Sequence, residues 1–451
     1  MCNQMEPIKL FDSFAGIGAL HKALTNLNIP TNLVGMSEID IDAILAYGSI
    51  HKINIDHIPE KSKFEMVEYL QNRNIGYDFK KRKSKLNRIN LSKLKLLYKY
   101  CMATNNFGDI SKIEPQYLPN FDLFNFSFPC TNISVAGKQE GMVDNHGCVT
   151  SSGLYKYGVE IISTKKPKYV LIENVKNLIS KKFITEFYAI VDSISELGYT
   201  CYYPTNNKNK PKCLNAKGFG IPQNRERVFV ICIRKDIDDK TFEFPIEQDY
   251  GIRLKDMLED SVDKKYYLSD EIQERFKLNG KDDIDHRQLE QIYENTNKVD
   301  RIGGIFDKED KIHQAGSIYN KQCLSPTITT CEGGYRQPIV TDNEIQVIGK
   351  LNCKGWYEIE TRVHSSEGIA PTMETRNRSK WLDEKEFKIR KLTPLECWRL
   401  MGFDDKDFYN AQALGISDSQ LYKQAGNSIV VNVLYAIFKN LFNVQGEMYN
   451  V

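Results

Sequence analysis

No stretch of the 451-residue chain approaches the apolar length that a membrane span requires. The N-terminus, with Glu6 and no apolar core, does not read as a signal peptide, so a cytoplasmic protein is expected. Cys-x-x-Cys pairs are missing among the eleven cysteines, and the loose group Cys323, Cys331 and Cys353 has no histidine at a zinc-ligand spacing. No metal site is therefore expected, and free thiols in a reducing compartment are the plain reading. A large charge excess is missing too: 61 Lys and Arg stand against 59 Asp and Glu, a net of +2. Bulk composition thus gives no basic nucleic-acid binder. With 41% hydrophobic residues over this length, two or so domains can each bury a core.

What charge there is lies unevenly. Lys80-Lys81-Arg82-Lys83, Lys85, Arg88, Lys93, Lys95 and Lys99 form a basic run inside an amphipathic, helical insertion at about 58–105. Such a run reads equally as a phosphate-contacting stripe or as a solvated helix face. Around it, short apolar runs alternate with helical segments, the pattern of βαβ units on a parallel sheet. Strands fit Ile8–Phe11, Leu33–Met36, Phe121–Phe126, Tyr169–Ile172 and Val228–Ile233. Helices fit Ala19–Leu27, Ile41–His51, Gly158–Ser163 and Phe183–Leu197, the last stopped by Gly198. From about Lys235 to Glu386 the alternation breaks down into short β-like runs such as Gln337–Val340. At the end, Gln424 to Leu441 reads as a turn leading into a helix that packs back on the first domain.

The most informative block is Phe128-Pro129-Cys130, which closes the run Phe121 to Ser127. Pro129 ends that strand because proline cannot donate to a ladder. Cys130 then stands in a loop at the carboxyl end of a central strand, where open α/β sheets bind ligands. Alone, the tripeptide is weak. Its companions are Asp12-Ser13-Phe14-Ala15-Gly16-Ile17-Gly18, Ser37-Glu38-Ile39-Asp40, Phe107-Gly108-Asp109-Ile110, Glu173-Asn174-Val175 and Gln223-Asn224-Arg225-Glu226-Arg227-Val228. Arg390 to Pro394, Arg399 to Phe403 and Gln424 to Ser428 complete the set. In this order the blocks closely resemble those of the DNA (cytosine-5) methyltransferase family. The resemblance covers both ends of the chain and leaves out about 235–386.

The resemblance implies a Rossmann-like α/β fold for S-adenosylmethionine-dependent methyl transfer, with a smaller, mostly β or irregular target-recognition domain inserted. A catalytic domain at 1–234, the target-recognition domain at 235–386 and a C-terminal return at 387–451 are the expected boundaries. Phe14, Gly16, Gly18, Glu38, Ile39, Asp109 and Ile110 would bind S-adenosylmethionine, and Asn427 and Ser428 would complete its pocket. Read from the residues alone, the Gly-x-Gly turn is explained about as well by a plain tight turn, with the glycines admitting a close backbone approach. A strand-end carboxylate such as Glu38 is where nucleotide-binding folds engage ribose hydroxyls, while a capping role is the ordinary alternative.

Cytosine C5 is a poor nucleophile, and a thiolate adding to C6 activates it. Cys130, in the block with Pro129, would be that nucleophile. A free thiol titrates near about 8.5, so a nearby cation must favour its thiolate. Arg225 and Arg227 are candidates for that charge and for hydrogen bonds to the base, with phosphate contacts or pairing to Glu226 as the alternative. Glu173 would hydrogen-bond cytosine N3 and the 4-amino group; its alternative is a strand-end cap. Ser134 and Gln139, in the polar stretch 134–141, would lie on a loop closing over a flipped base. The Thr-Leu pair that marks a target-recognition core is approximated twice, by Thr327-Ile328 and Thr372-Met373. Arg336, Arg376 and Arg378 are the expected base readers, since arginine is the commonest reader of guanine.

The expected activity is methylation of cytosine C5 in a specific double-stranded DNA sequence. The expected partners are duplex DNA and, acting separately, a cognate restriction endonuclease; no membrane partner and a monomeric state complete the expectation. Two rivals stand beside it: a tRNA cytosine-C5 methyltransferase, which would be shorter and lack the large inserted domain, and a catalytically silent DNA-binding module, against which Cys130, Glu173 and Arg227 argue.

Overall fold

The computed structural model describes residues 6–79, 81–129, 151–269, 277–278, 297–307, 312–331, 337–341, 347–350, 362–364, 380–381 and 389–445. The chain divides into two compact units, one of residues 1–221, 225–250 and 398–451, the other of 222–224 and 251–397. Residues 235–250 stay with the first unit because Tyr202 stacks edge-on with Phe242 at 5.5 Å and its hydroxyl donates to Asp238. Ile389–Lys391 stays with the second because it pairs antiparallel with Ile339–Thr341.

In the first unit, β1 (Ile8–Ser13), β2 (Thr31–Ser37), β3 (Tyr77–Asp78), β4 (Lys83–Ser84), β5 (Leu123–Phe126), β6 (Tyr169–Val175), β7 (Tyr199–Tyr202), β8 (Leu214–Asn215) and β9 (Glu226–Arg234) are the strands. A seven-stranded sheet runs in the order β2-β1-β5-β6-β9-β7, with β8 also on β9. The pairs β1–β2, β1–β5 and β5–β6 are parallel, and β9 lies antiparallel between β6 and β7. Strands β1, β5 and β6 are mostly buried and largely apolar, as parallel strands covered by helices require, while β2 at the edge is buried only over Gly35–Ser37. Strand β7 escapes the sequence pattern because its run Tyr-Thr-Cys-Tyr is short and mixed.

Six helices precede and alternate with these strands: α1 (Ala19–Asn26), α2 (Ile41–Ile50), α3 (Lys63–Asn72), α4 (Leu91–Ala103), α5 (Tyr155–Lys165) and α6 (Ile184–Glu196). Helix α6 ends where Gly198 takes φ +96°, the left-handed region that a side chain resists. Three more, α7 (Asp405–Gln412), α8 (Asp418–Asn427) and α9 (Val431–Leu441), return the C-terminus to this unit, α9 against α1. Gln424 to Asn427 is thus the end of a helix, not the expected turn. Phe11, Phe124, Phe126, Val170, Ile172 and Val230 lie in one core. At its edge, Asn125 Nδ2 donates to Asp12 Oδ1 at 2.6 Å and Ser13 Oγ donates to the Asn125 carbonyl at 2.6 Å, tying β1 to β5.

The insertion is α3, the β3–β4 hairpin and α4, with both helices packed together and α4 on α2. Three of its lysines are committed within the unit: Lys93 to Asp42 at 2.7 Å, and Lys95 and Lys99 to Glu60 at 2.8 and 3.0 Å. Those three fit the solvated-face reading of the basic run. Free thiols hold for Cys101, Cys213, Cys323, Cys331 and Cys397. They do not hold for Cys201 and Cys232, which face each other across β7 and β9 and form a disulfide.

The second unit is β-rich. Strands β10 (Lys277–Leu278), β11 (Arg301–Gly304), β12 (Ser317–Tyr319), β13 (Ile339–Thr341) and β17 (Ile389–Lys391) form one sheet in that order. Strands β14 (Val347–Lys350), β15 (Arg362–His364) and β16 (Lys380–Trp381) form another. Leu268, Ile305, Ile318 and Ile339 make its small core. The Arg390-to-Pro394 block belongs to this scaffold. Arg390 forks onto Glu396 with both contacts at 2.9 Å, and Glu396 also accepts from the backbone of Thr393 and Glu259.

Two outcomes follow from these buried charges. Glu396→Ala strands the Arg390 guanidinium away from water and should cost about 3–5 kcal/mol in urea unfolding of the second unit; a loss under about 1 kcal/mol would contradict the pairing's role. Asp12 is fully buried, and burial pushes its carboxyl up to about 7 from 3.8, with the Asn125 hydrogen bond opposing. Its folded state holds the proton more tightly than the unfolded chain, so its contribution is present below about pH 4 and is lost as pH rises through about 7. Asp12→Asn should therefore gain thermal stability over the parent progressively across that window, and a difference flat with pH would contradict this.

Candidate active site

At the carboxyl end of β1 the chain turns through Phe14 at φ +52° and Gly16 at φ +55° before Gly18, at φ +81°, starts α1. Gly16 donates its N–H to Glu38 Oε2 at 2.9 Å, while Glu38 Oε1 accepts from Ile39 and Asp40 at 2.7 and 2.8 Å. The ends of β1 and β2 are thereby locked together. Burial raises the Glu38 carboxyl above its ordinary range, and the neighbouring Asp40 charge adds to this. The two glycines answer different demands. A Cβ at Gly16 would meet nothing within 4 Å, so that turn opens on free space. At Gly18 a Cβ would fall 2.2 Å from His51 Nε2 and 2.7 Å from Tyr47. Close approach at Gly18 thus serves the chain's own side chains, His51 and Tyr47.

Asn106 completes this corner. Its Oδ1 accepts from Glu38 N at 3.2 Å and Gly108 N at 2.9 Å, and its Nδ2 donates to the Glu38 carbonyl at 3.0 Å. Ser37 Oγ donates to the Gly108 carbonyl at 2.6 Å. Asp109 follows, caps the short turn Ile110–Lys112 through Ser111 N, and holds Ile110 in the core. Sequence reasoning missed Asn106; its one signal was a buried-type amide placed directly before the Phe107-to-Ile110 block.

The second corner lies at the ends of β5 and β6. Asn174 Nδ2 donates to the Phe128 carbonyl at 3.2 Å, which fastens the Phe128-Pro129 exit of β5 to β6. One residue earlier, Glu173 pairs with Arg227 Nε of β9 at 3.1 Å. Burial raises the Glu173 carboxyl, with the charges of Arg227 and Arg225 opposing in that order. Both partners keep some access to solvent, at 17% and 13% side-chain exposure. A buried carboxyl that holds its proton more readily and stays reachable can share that proton with a ring nitrogen.

Arg225 is not where the sequence reading put it. It is 3% exposed, and its Nη2 donates to the Gly426 and Ser428 carbonyls at 2.9 and 2.7 Å. Glu226 pairs with Lys176 at 2.7 Å, and the Arg225 charge acts on the Glu173 carboxyl, opposing the effect of burial. Arg225 thus ties the chain entering β9 to the backbone of the segment carrying Asn427 and Ser428. Cys130, Ser134, Gln139, Arg336, Arg376 and Arg378 lie outside the described residues, as do Thr372 and Met373. Among the described residues no cluster of metal-ligating side chains occurs, and no helix is long and apolar enough to cross a membrane.

A family model described as C-5 cytosine-specific DNA methylase matches residues 64–443. The type II methyltransferase M2.ScrFI of Lactococcus lactis subsp. cremoris is 36% identical over 97% of this chain and all of its own length. The orphan methyltransferase M.SPBetaI of Bacillus phage SPbeta is 31% identical over 97% of this chain and 98% of its own. In fold, the chain is similar to a Spodoptera frugiperda DNMT2 variant, at TM-score 0.52 and 17% identity over 96% of this chain and 99% of that one. The parallel sheet with its antiparallel strand β9 is thus that of a methyltransferase that takes its methyl group from S-adenosylmethionine. The chain belongs to the family of C-5 cytosine-specific DNA methylases, which transfer that methyl group to C5 of cytosine in DNA.

Proposed function

We propose that the two strand-end corners are one catalytic centre acting on a flipped-out cytosine of a specific duplex sequence, with Cys130 as nucleophile. The observation that carries this is the Glu173–Arg227 pair beside the clamp from Asn174 to Phe128, two residues before Cys130. Free space at the Gly16 turn, the strand-end acid Glu38 and Asp109, as acceptor for the adenine 6-amino group, fit S-adenosylmethionine, which supplies the electrophilic methyl group when bound. Phe14, Gly16, Glu38, Ile39, Asp109, Ile110, Asn427 and Ser428 would hold it. Gly18 shapes the turn from behind.

In the proposed sequence the Cys130 thiolate forms a bond to C6 of cytosine, and the ring's electron pair moves toward C5. Glu173 shares its proton with N3 and accepts from the 4-amino group, which limits charge build-up on the ring. Arg227 keeps Glu173 oriented. C5 takes the methyl group, the C–S bond of the sulfonium breaking to leave S-adenosylhomocysteine; water then accepts the C5 proton as the C6–S bond breaks and the thiolate is restored. Flipping the base costs roughly a few kcal/mol, which closure of a loop bearing Ser134 and Gln139 would offset.

Target choice is proposed for the second unit, with Arg336, Arg376 and Arg378 as readers. Within that unit Thr327 Oγ1 donates to the Asn224 carbonyl at 2.6 Å and Ile328 N donates to Gln223 Oε1 at 3.1 Å. These bonds support Thr327-Ile328 as the core pair. A cytoplasmic monomer is proposed, and a separate cognate restriction endonuclease on the strength of the type II name alone.

Radiolabelled methyl transfer separates the readings: the proposal requires label in duplex DNA and none in tRNA, and bisulfite sequencing then gives the target. Glu173→Gln should slow the single-turnover step by about 2.7–4 kcal/mol with little change in DNA affinity. A rate within a few-fold of the parent would remove Glu173 from the mechanism.

A further inference from the structure

The insertion of residues 58–105 has no part in the chemistry described above, yet it touches the cofactor corner twice. Helix α3, begun by the reciprocal cap of Ser62 and Glu65, delivers the turn Arg73–Gly76. Gly76 N donates to the Ile39 carbonyl at 2.8 Å, and Asp109 N donates to the Arg73 carbonyl at 2.9 Å. Gly108 permits this second approach: it sits at φ +73°, and a Cβ there would lie 2.1 Å from the Arg73 carbonyl oxygen. Asn74, itself left-handed at φ +55°, then donates its Nδ2 to Asp109 Oδ2 at 2.8 Å.

We propose that Asn74 is a positioning residue through which the insertion aims Asp109 at the adenine 6-amino group of S-adenosylmethionine. The inference rests on the reading of Asp109 as that group's acceptor. A carboxylate offers about four acceptor positions. Asp109 Oδ1 already takes Ser111 N at 3.0 Å and Ser111 Oγ at 2.8 Å, and Oδ2 takes Asn74. What is left is capacity for one more donor, on the oxygen that Asn74 holds. One amino N–H is what adenine has to give there. Without Asn74 the carboxylate is held at Oδ1 alone by Ser111, Oδ2 loses the donor that fixes it, and the aim is loosened.

Titration calorimetry on the full chain tests this with two ligands, S-adenosylhomocysteine and S-inosylhomocysteine, the second carrying a carbonyl in place of the 6-amino group. Asn74→Gly keeps the left-handed turn and removes only the amide. It should weaken adenosyl binding about tenfold while leaving inosyl binding nearly unchanged. In an Asp109→Ala background the same substitution should do nothing further, because the group it aims is gone. Asn74→Asp, which also tolerates the left-handed turn, should show the same selective loss if the glycine variant does not fold. An equal loss for both ligands, or an additive loss in the double variant, would make Asn74 merely structural and overturn the proposal. If Asp109→Ala leaves the adenosyl-to-inosyl ratio untouched, the reading of Asp109 itself is wrong, and the role of Asn74 falls with it.

Discussion

Everything at this site hangs from one buried amide. Asn125, 3% exposed near the end of β5, donates to Asp12 on β1, while its carbonyl accepts from Ser13 and its Oδ1 from Ser127. Strands β2 and β5 flank β1, so the sheet order reverses there and a crevice opens at the carboxyl ends. Asn125 fixes the two chains that leave that crevice: the Phe14–Gly18 turn toward the cofactor side and the Ser127–Pro129 exit toward Cys130. Three neighbouring residues satisfy the polar atoms of Asn125, whereas Asp12 Oδ2 is buried without a hydrogen-bond partner among the described residues, in keeping with a carboxyl pushed toward protonation.

From that point outward the centre is built of carboxyls pushed toward protonation and side chains that hold backbone. Asp12, Glu38 and Glu173 are all raised chiefly by burial. Asn106 and Asn174 are nearly inaccessible and spend their amides on main-chain groups of the active segments. The two arginines of one block divide the labour. Arg227 pairs with Glu173, and Arg225, just before β9 begins, anchors the C-terminal segment.

Much of this was legible because chemistry and strand ends coincide in the sequence. The five main strands and their helices follow from apolar runs and their punctuation; Glu38 and Glu173 stand where two of those runs stop, and Asp109 stands in the Phe107-to-Ile110 block. Three things were hidden. Strand β7 carries too mixed a run to announce itself, and its cross-strand partner for Cys201 lies 31 residues on. The crowding at Gly18 comes from α2, which no local pattern reveals. Arg225 and Arg227 are alike in sequence, and only the register Val175 to Arg227 across β6 and β9 separates the arginine that pairs with Glu173 from the one that holds the Gly426 and Ser428 backbone.

The central claim is that the segment leaving β5 carries the nucleophile for C5 methylation. Duplex DNA with 5-fluorocytosine at the target, incubated with the protein and S-adenosylmethionine, tests it, since fluorine cannot leave C5 and the cycle stops at the adduct. Peptide mass spectrometry should find the nucleotide joined through sulfur at Cys130, with no adduct from Cys130→Ser. A stable adduct at another residue, or one formed equally by the serine variant, would contradict the account.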